Sequence, residues 1–237
     1  NPVFSGHDEG LPPNDLRDTI KQCLLNDATG VNCGSAPMGV EVSDPDDRTI
    51  ASMNTWNVSG VESFKYLFAT ESFSDITTTS FNADISNWNT NSVTNMWGTF
   101  WRAENFNQNL ASWNTQAVMD MDDMFRDARD FNSDISGWNT AQVSYFQHTF
   151  QGATSFDADI TGWSRASAGS NSNTFHDATA WHSKYRRRTG ESGDANDGPP
   201  NAWEWIPRAF DDLTELKKYV NLCLEANPTG ACDCSSA

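Results

Sequence analysis

The apolar positions of this chain follow neither the 3.6-residue rhythm of a helix nor the alternation of a strand over its central hundred residues. They follow a sentence 25 residues long. From Phe81 it reads F-N-x-D-I-S-x-W-N-T-x-x-V-x-x-M-x-x-x-F-x-x-A, and it restarts at Phe106, Phe131 and Phe156. Trp88, Trp113, Trp138 and Trp163 therefore fall 25 residues apart, as do Phe100, Phe125, Phe150 and Phe175, and Ala103, Ala128, Ala153 and Ala178. A fixed period of this size marks units that bury their apolar faces only by stacking on copies of themselves. The V-x-x-M positions (Val93 and Met96, Val118 and Met121, Val143 and Phe146) predict one short strand per unit, flanked by Asn and Thr turn chemistry. Met121 to Ala128 and its equivalents predict a turn of helix across the other side.

The flanks read differently. Leu16, Ile20, Cys23 and Leu24 have helical spacing after Pro12, Pro13 and Asn14, and Thr29-Gly30 supplies a left-handed stop. Two hundred residues later Leu216, Val220, Cys223, Leu224, Thr229 and Gly230 copy that paragraph, and Cys234-Ser-Ser-Ala237 copies Cys33-Gly-Ser-Ala36 with one residue of slip. Either two similar caps close one stack, or the second copy opens a further module. A degenerate first unit holds Trp56, Val61, Phe64 and Phe68, and about seven extra residues separate it from the next. Four segments result: 1–49, a helical and disulfide-bearing start with an acidic loop; 50–181, the repeats; 182–200, a linker by composition; and 201–237, a Trp-rich helical end. Trp203, Trp205, Ile206 and Phe210, with Leu216 and Val220, are too apolar to be left in water and read as an assembly interface, against the open end of the stack or a neighbouring chain.

The repeated phrase, with Met124-Phe-x-x-Ala128, resembles the BspA-like leucine-rich-repeat surface proteins and related lipoprotein repeats of about 25 residues, over residues 50–181. The resemblance implies an α/β solenoid: a right-handed, leucine-rich-repeat-like stack of about five coils with short parallel strands. It also implies surface or extracellular placement and adhesive or protein-binding use, and it supplies no catalytic residues. Phe146 in place of Met, the insert and the irregular last unit depart from its pattern.

Charge removes one class of partner. With 32 acidic and 15 basic residues and a net charge of −17, the chain is not built for nucleic acid, and the run Lys184–Arg188 is too short to change that. No window approaches the ~18 consecutive apolar residues of a membrane span. All five cysteines lie in the flanks, as expected of staples on units too small to bury a core. Cys23 is expected to pair with Cys33 and, by alignment, Cys223 with Cys234. Cys232 is then the odd one and a candidate for an intermolecular bond. Zinc on Cys232-x-Cys234 is the weaker alternative, since no histidine lies near. The acidic loop at Asp44, Asp46 and Asp47 lacks the later ligands of a calcium loop and reads as solvated. His7, His148, His176 and His182 show no metal or triad spacing, and Asp84, Asp134 and Asp159 recur because a capped turn recurs; Asn82, Asn107 and Asn132 take the same reading. Asn57-Val58-Ser59 is a glycosylation sequon. No catalytic set, cofactor or metal site is expected. The expectation is a non-enzymatic extracellular structural protein, a module or subunit of a fibre or coat assembling head to tail with copies of itself. The alternative is a cell-surface adhesion module that binds a protein or glycan on one face of the repeats.

Overall fold

A computed structural model describes residues 16–31, 33, 53–69, 79–164, 170–188 and 198–206. The expected leucine-rich-repeat solenoid with parallel strands and helical turns is not what forms. Among the described residues there are two α-helices, α1 (Leu16–Asn26) and α2 (Thr179–Lys184), and one two-stranded antiparallel sheet of β1 (Tyr185–Arg187) and β2 (Trp203–Trp205). All four lie outside the four regular repeats or at their very end. Among the described residues of the repeats, extended pairing is limited to isolated parallel bridges, Ser63 with Asn95, Asn95 with Asp120 and Asp120 with Tyr145.

The physical reason is a backbone constraint. Each unit places two residues in the left-handed region four positions apart: Gly98 (φ 60°) and Arg102 (60°), Asp123 (54°) and Asp127 (56°), His148 (54°) and Gly152 (70°), Asn173 (53°) and Asp177 (57°). A right-handed helical turn cannot contain such residues, and neither can a strand. Gly, Asp, Asn and His tolerate this region best, and they fill all but one of these places. What results from Met96 to Phe106 is a run of overlapping turns, with Thr99 N–H to Met96 C=O (3.2 Å), Trp101 to Gly98 (3.1 Å), Ala103 to Phe100 (3.0 Å) and Phe106 to Ala103 (3.1 Å). The predicted helical turn from Met121 to Ala128 is replaced by the same device.

The intervening amides point to the next unit. Met96, Gly98, Phe100 and Arg102 donate to the carbonyls of Asp120, Asp122, Met124 and Arg126 at 2.8–2.9 Å, and Met121, Asp123, Phe125 and Asp127 repeat the pattern one unit on. Side chains extend the ladder. Each core indole N–H donates to a carbonyl in the preceding unit: Trp88 to Met53 (2.7 Å), Trp113 to Ile85 (3.1 Å), Trp138 to Leu110 (3.0 Å) and Trp163 to Ile135 (3.2 Å). Thr90, Thr115 and Thr140 donate forward to Asn114, Asn139 and Ser164. Asn82, Asn107 and Asn132, expected to cap turns within their own unit, instead accept the amides of Asn107, Asn132 and Asp157 at 2.9–3.0 Å. They are inter-unit rungs. Asp84, Asp134 and Asp159 do cap local turns, on Ser86, Ser136 and Thr161; hydrogen bonds from the Ser136 hydroxyl and amide hold the Asp134 carboxyl below the usual range.

Aromatic rings fill the space enclosed by the turns. Trp88, Trp113, Trp138 and Trp163 stack with centroids 6.4, 6.4 and 5.9 Å apart, and Phe100, Phe125, Phe150 and Phe175 at 5.5, 5.6 and 5.6 Å. A third column runs Phe81, Phe106, Phe131, Phe156 and Trp181. Stacked pairs of this kind contribute ~0.5–1.5 kcal/mol each beyond the area they bury.

Both ends of the described stack are covered by the same chain. At the start, Trp56 lies on Trp88 at 6.5 Å, Thr29 C=O accepts the Asn82 amide (2.9 Å), and Gly30, in the left-handed region, sits directly on the Phe81 ring. Apolar residues of α1 join the same core. At the far end Trp203 meets Phe175 and Trp181 edge-on at 5.2 and 6.0 Å, held there by the antiparallel sheet. The segment read as a linker is therefore structured in its first part, where α2 and β1 run through residues 182–187 and Tyr185 stacks on Trp181 at 4.1 Å. Replacing Trp113 by Phe should keep the ring column but remove the inter-unit indole bond, leaving the Ile85 carbonyl only the Trp88 amide. The expected loss is about 1 kcal/mol, read as a lower urea midpoint at unchanged m-value.

Candidate functional site

The cysteines and assembly residues singled out by sequence end up in different situations. Cys23 and Cys33 form a disulfide with Cα atoms 5.0 Å apart, tying the loop after α1 to the helix. Cys223, Cys232 and Cys234 lie outside the described residues, as do Phe210, Leu216 and Val220. Trp203 is 2% exposed, against Phe175 and Trp181 of its own chain. Trp205 and Ile206 are half-buried beside it. Asn57 is half-buried, and its Oδ1 accepts the Ser59 amide at 3.1 Å, the turn that Asn89, Asn114 and Asn139 make in later units. Among the described residues no group of three or more His, Cys, Asp or Glu could hold a metal ion.

The chemistry gathers on a flank that the sequence reading passed over. Its residues occupy the variable positions between Met and Phe of the repeated phrase and the one just after Phe, so different units contribute different side chains to one surface. Tyr66 from the first unit packs on Trp97 and Trp101 of the second, at 5.2 and 5.9 Å. Lys65 Nζ lies 4.3 Å from the Trp97 ring centre, and the Arg126 guanidinium of the third unit lies 5.2 Å from Trp101. Beneath them Asp123 ties units together: it accepts the Trp97 indole N–H (3.2 Å), pairs with Arg126 (3.1 Å) and faces His148 Nδ1 (3.5 Å). Gly98 is required at this place because a Cβ there would run into the Tyr66 ring. All of these side chains except Gly98 are partly exposed.

Two more carboxylates border the cluster. Asp120 and Asp122 project from the same edge, with Asp120 accepting the Asp122 amide (3.0 Å) and Asp122 the Gln147 amide (2.6 Å). Burial raises the Asp120 carboxyl above its ordinary value, against the pull of the Asp122 amide and Lys65. Burial, reinforced by Asp120 and Asp123, pushes Asp122 up to about 6. Beyond them Met119 and Tyr145, 54% and 47% exposed, extend the surface with apolar area. The arrangement offers aromatic edges, two cations and three carboxylates in a shallow surface.

The signal for this flank was present in the sequence. Trp97 and Trp101 are aromatics at places where the repeated phrase asks for none, and Tyr66, Arg126 and His148 break the phrase in neighbouring units.

Residues 70–187, just under half of the chain, match a family described as "Mycoplasma protein of unknown function, DUF285". No leucine-rich-repeat family matches, so the resemblance to BspA-like leucine-rich-repeat proteins is corrected to this similarity. No curated protein and no solved structure matches the chain.

Because the Asp122 carboxyl is raised in the folded state, it binds its proton more tightly folded than unfolded. Its contribution to stability is therefore fully present below about pH 4 and is lost as pH rises through about 6. Asp122→Asn keeps the acceptor for Gln147 and removes the charge. It should raise stability at pH 7 by about 1 kcal/mol, after discounting for the solvent-facing part of the side chain, and flatten the dependence between pH 4 and 6 in urea titrations.

Proposed function

We propose that this chain is a non-enzymatic binding module of the extracellular or cell-surface type, which engages a protein or glycan through the flank built from Tyr66, Trp97, Trp101, Lys65, Arg126 and Asp123. The observation that carries this reading is that three aromatic residues outside the repeated phrase converge on one surface, each beside a cation or a carboxylate. Interfaces draw their energy from Trp, Tyr and Arg grouped in this way. The same stacking surfaces, ringed by carboxylates, suit the apolar faces and hydroxyls of a sugar.

Two further observations support it. The Cys23–Cys33 disulfide suits an oxidising compartment. The ends of the stack, on which head-to-tail growth of a fibre would depend, are covered by Gly30 and Trp56 at one side and Trp203 at the other. An end already covered does not generate a filament. The structural-subunit reading therefore loses its simplest interface, while the flank remains open.

The test is a screen of glycans and purified surface proteins with the full chain, followed by Trp97→Ala and Trp101→Ala. Each substitution is expected to weaken the selected interaction about tenfold or more at hot-spot strength, while circular dichroism shows the stack intact. Binding that survives both substitutions unchanged would move the function off this flank.

A further inference from the structure

One edge of the flank carries side chains that the packing of the stack does not use. Ser144 N–H donates to the Met119 carbonyl (2.9 Å) and Met121 N–H to the Tyr145 carbonyl (3.0 Å), while Asp120 bridges to both Tyr145 and Asn95. The third and fourth units thus hold Met119, Asp120 and Tyr145 on adjoining backbone, beside the stretch that carries Trp97. Among the described residues of the repeats, Met119 and Tyr145 are the only large apolar side chains left so exposed.

The charges along this edge are unbalanced. Arg126 is paired with Asp123 and Lys65 is set over the Trp97 ring, so both cations of the flank are engaged. The Asp120 and Asp122 carboxylates accept only backbone amides, those of Asp122 and Gln147, and among the described residues neither has an ion-pair partner. Burial holds both carboxyls above their ordinary range, a cost that an incoming cation relieves. A neutral sugar brings no such charge, and an anionic one is repelled. Met119 offers no ring for a sugar to stack on, whereas its flexible thioether adapts to apolar side chains.

We propose that the flank receives a protein segment in which a Lys or Arg stands between apolar side chains, the cation settling at Asp120 and Asp122 and its apolar neighbours on Met119 and Tyr145. This rests on the reading of the flank as a binding surface and names what that surface takes. The net charge of −17 favours the approach of such a segment. Protons compete with the cation. The charged groups around the pair are Asp123 and Arg126 on the same unit, Lys65 from the first, and His148, which faces Asp123, from the fourth. Because Asp122 titrates at about 6 and the bound cation favours its ionised form, affinity rises with pH through about 6 and levels off above it.

The test is a display library of random peptides selected on the full chain at about pH 7.5, beside an array of neutral and anionic glycans. Selected peptides should carry Lys or Arg flanked by apolar residues and bind about fivefold more weakly at pH 5. Asp120→Asn/Asp122→Asn should weaken them about tenfold and flatten that pH profile, and Met119→Ser should weaken them about threefold. Asp130→Asn, which removes an exposed carboxylate away from this edge, should change nothing. Peptides without a cation, binding indifferent to Asp120→Asn/Asp122→Asn, or an equal loss from Asp130→Asn each overturns the proposal. If glycans alone bind, and lose affinity with Trp97→Ala, this proposal fails while the flank reading stands. Basic peptides that need Asp120 and Asp122 yet ignore Trp97→Ala and Trp101→Ala would uphold this edge and remove the rings from the site.

Discussion

The indole N–H of each core tryptophan, donated to a carbonyl of the preceding unit, sets the terms for the rest of the molecule. A phenylalanine could fill the same column, as the neighbouring Phe columns show, but it could not donate the bond that ties one unit to the preceding one. The carbonyls of Met53, Ile85, Leu110 and Ile135 already accept the turn amides of Trp56, Trp88, Trp113 and Trp138, and the indole is their second donor. Each such bond contributes about 0.5–1.5 kcal/mol, and Trp88, Trp113, Trp138 and Trp163 make them only if successive units lie in register. Thr and Asn rungs impose the same register at two other corners. Slipping one unit by a residue would break indole, hydroxyl and amide bonds together.

From that constraint the backbone follows. With neighbouring units held in contact, each turn must send its amides along the stack while keeping its rings inside, and two left-handed residues per unit are how the chain folds back to do so. This is why neither long strands nor helices appear among the described residues between Phe81 and Phe175. The inter-unit ladder is made of alternate amides in consecutive turns, so it supplies the hydrogen bonding of a sheet without the extended conformation of one. Gly98 and Gly152 serve where the neighbouring unit also crowds the Cβ position, against Tyr66 and Asp127. Asp123, His148 and Asn173 serve where it does not.

The register of the core was legible in the sequence because rings and small residues recur at fixed intervals. The secondary structure was not. Val-x-x-Met looks like a strand when read alone, and Met121 to Ala128 looks like a helical turn, because local propensity says nothing of left-handed residues enforced by neighbours. The left-handed places were nonetheless marked, since Gly, Asp, His and Asn hold all but Arg102 of them in the regular units, and only the degenerate first unit puts an aromatic, Tyr66, there. Asn82, Asn107 and Asn132 read as caps on their own turns, and only three-dimensional proximity shows that they serve the next unit. The flank was hidden for a different reason. Attention to what repeats discards what does not, and Trp97, Trp101 and Arg126 are informative because they do not repeat.

That division of labour also accounts for where the charge lies. Asp84, Asp134 and Asp159 are fixed by turns, so stacking units necessarily draws carboxylates into a line, and a large negative charge follows from the architecture without any ligand being involved. An acidic chain is thus what this repeat produces by default. On the Tyr66 flank the default is broken: Lys65 and Arg126 are set over indole faces, and Asp123 is paired with Arg126 and the Trp97 indole instead of being left to a turn. Placing cations there is not required by the backbone, whose own demands are already met by Gly98 and Asp123. Selection on something other than stacking is the simplest cause of that departure, and a surface that meets another molecule is the kind of feature on which such selection acts.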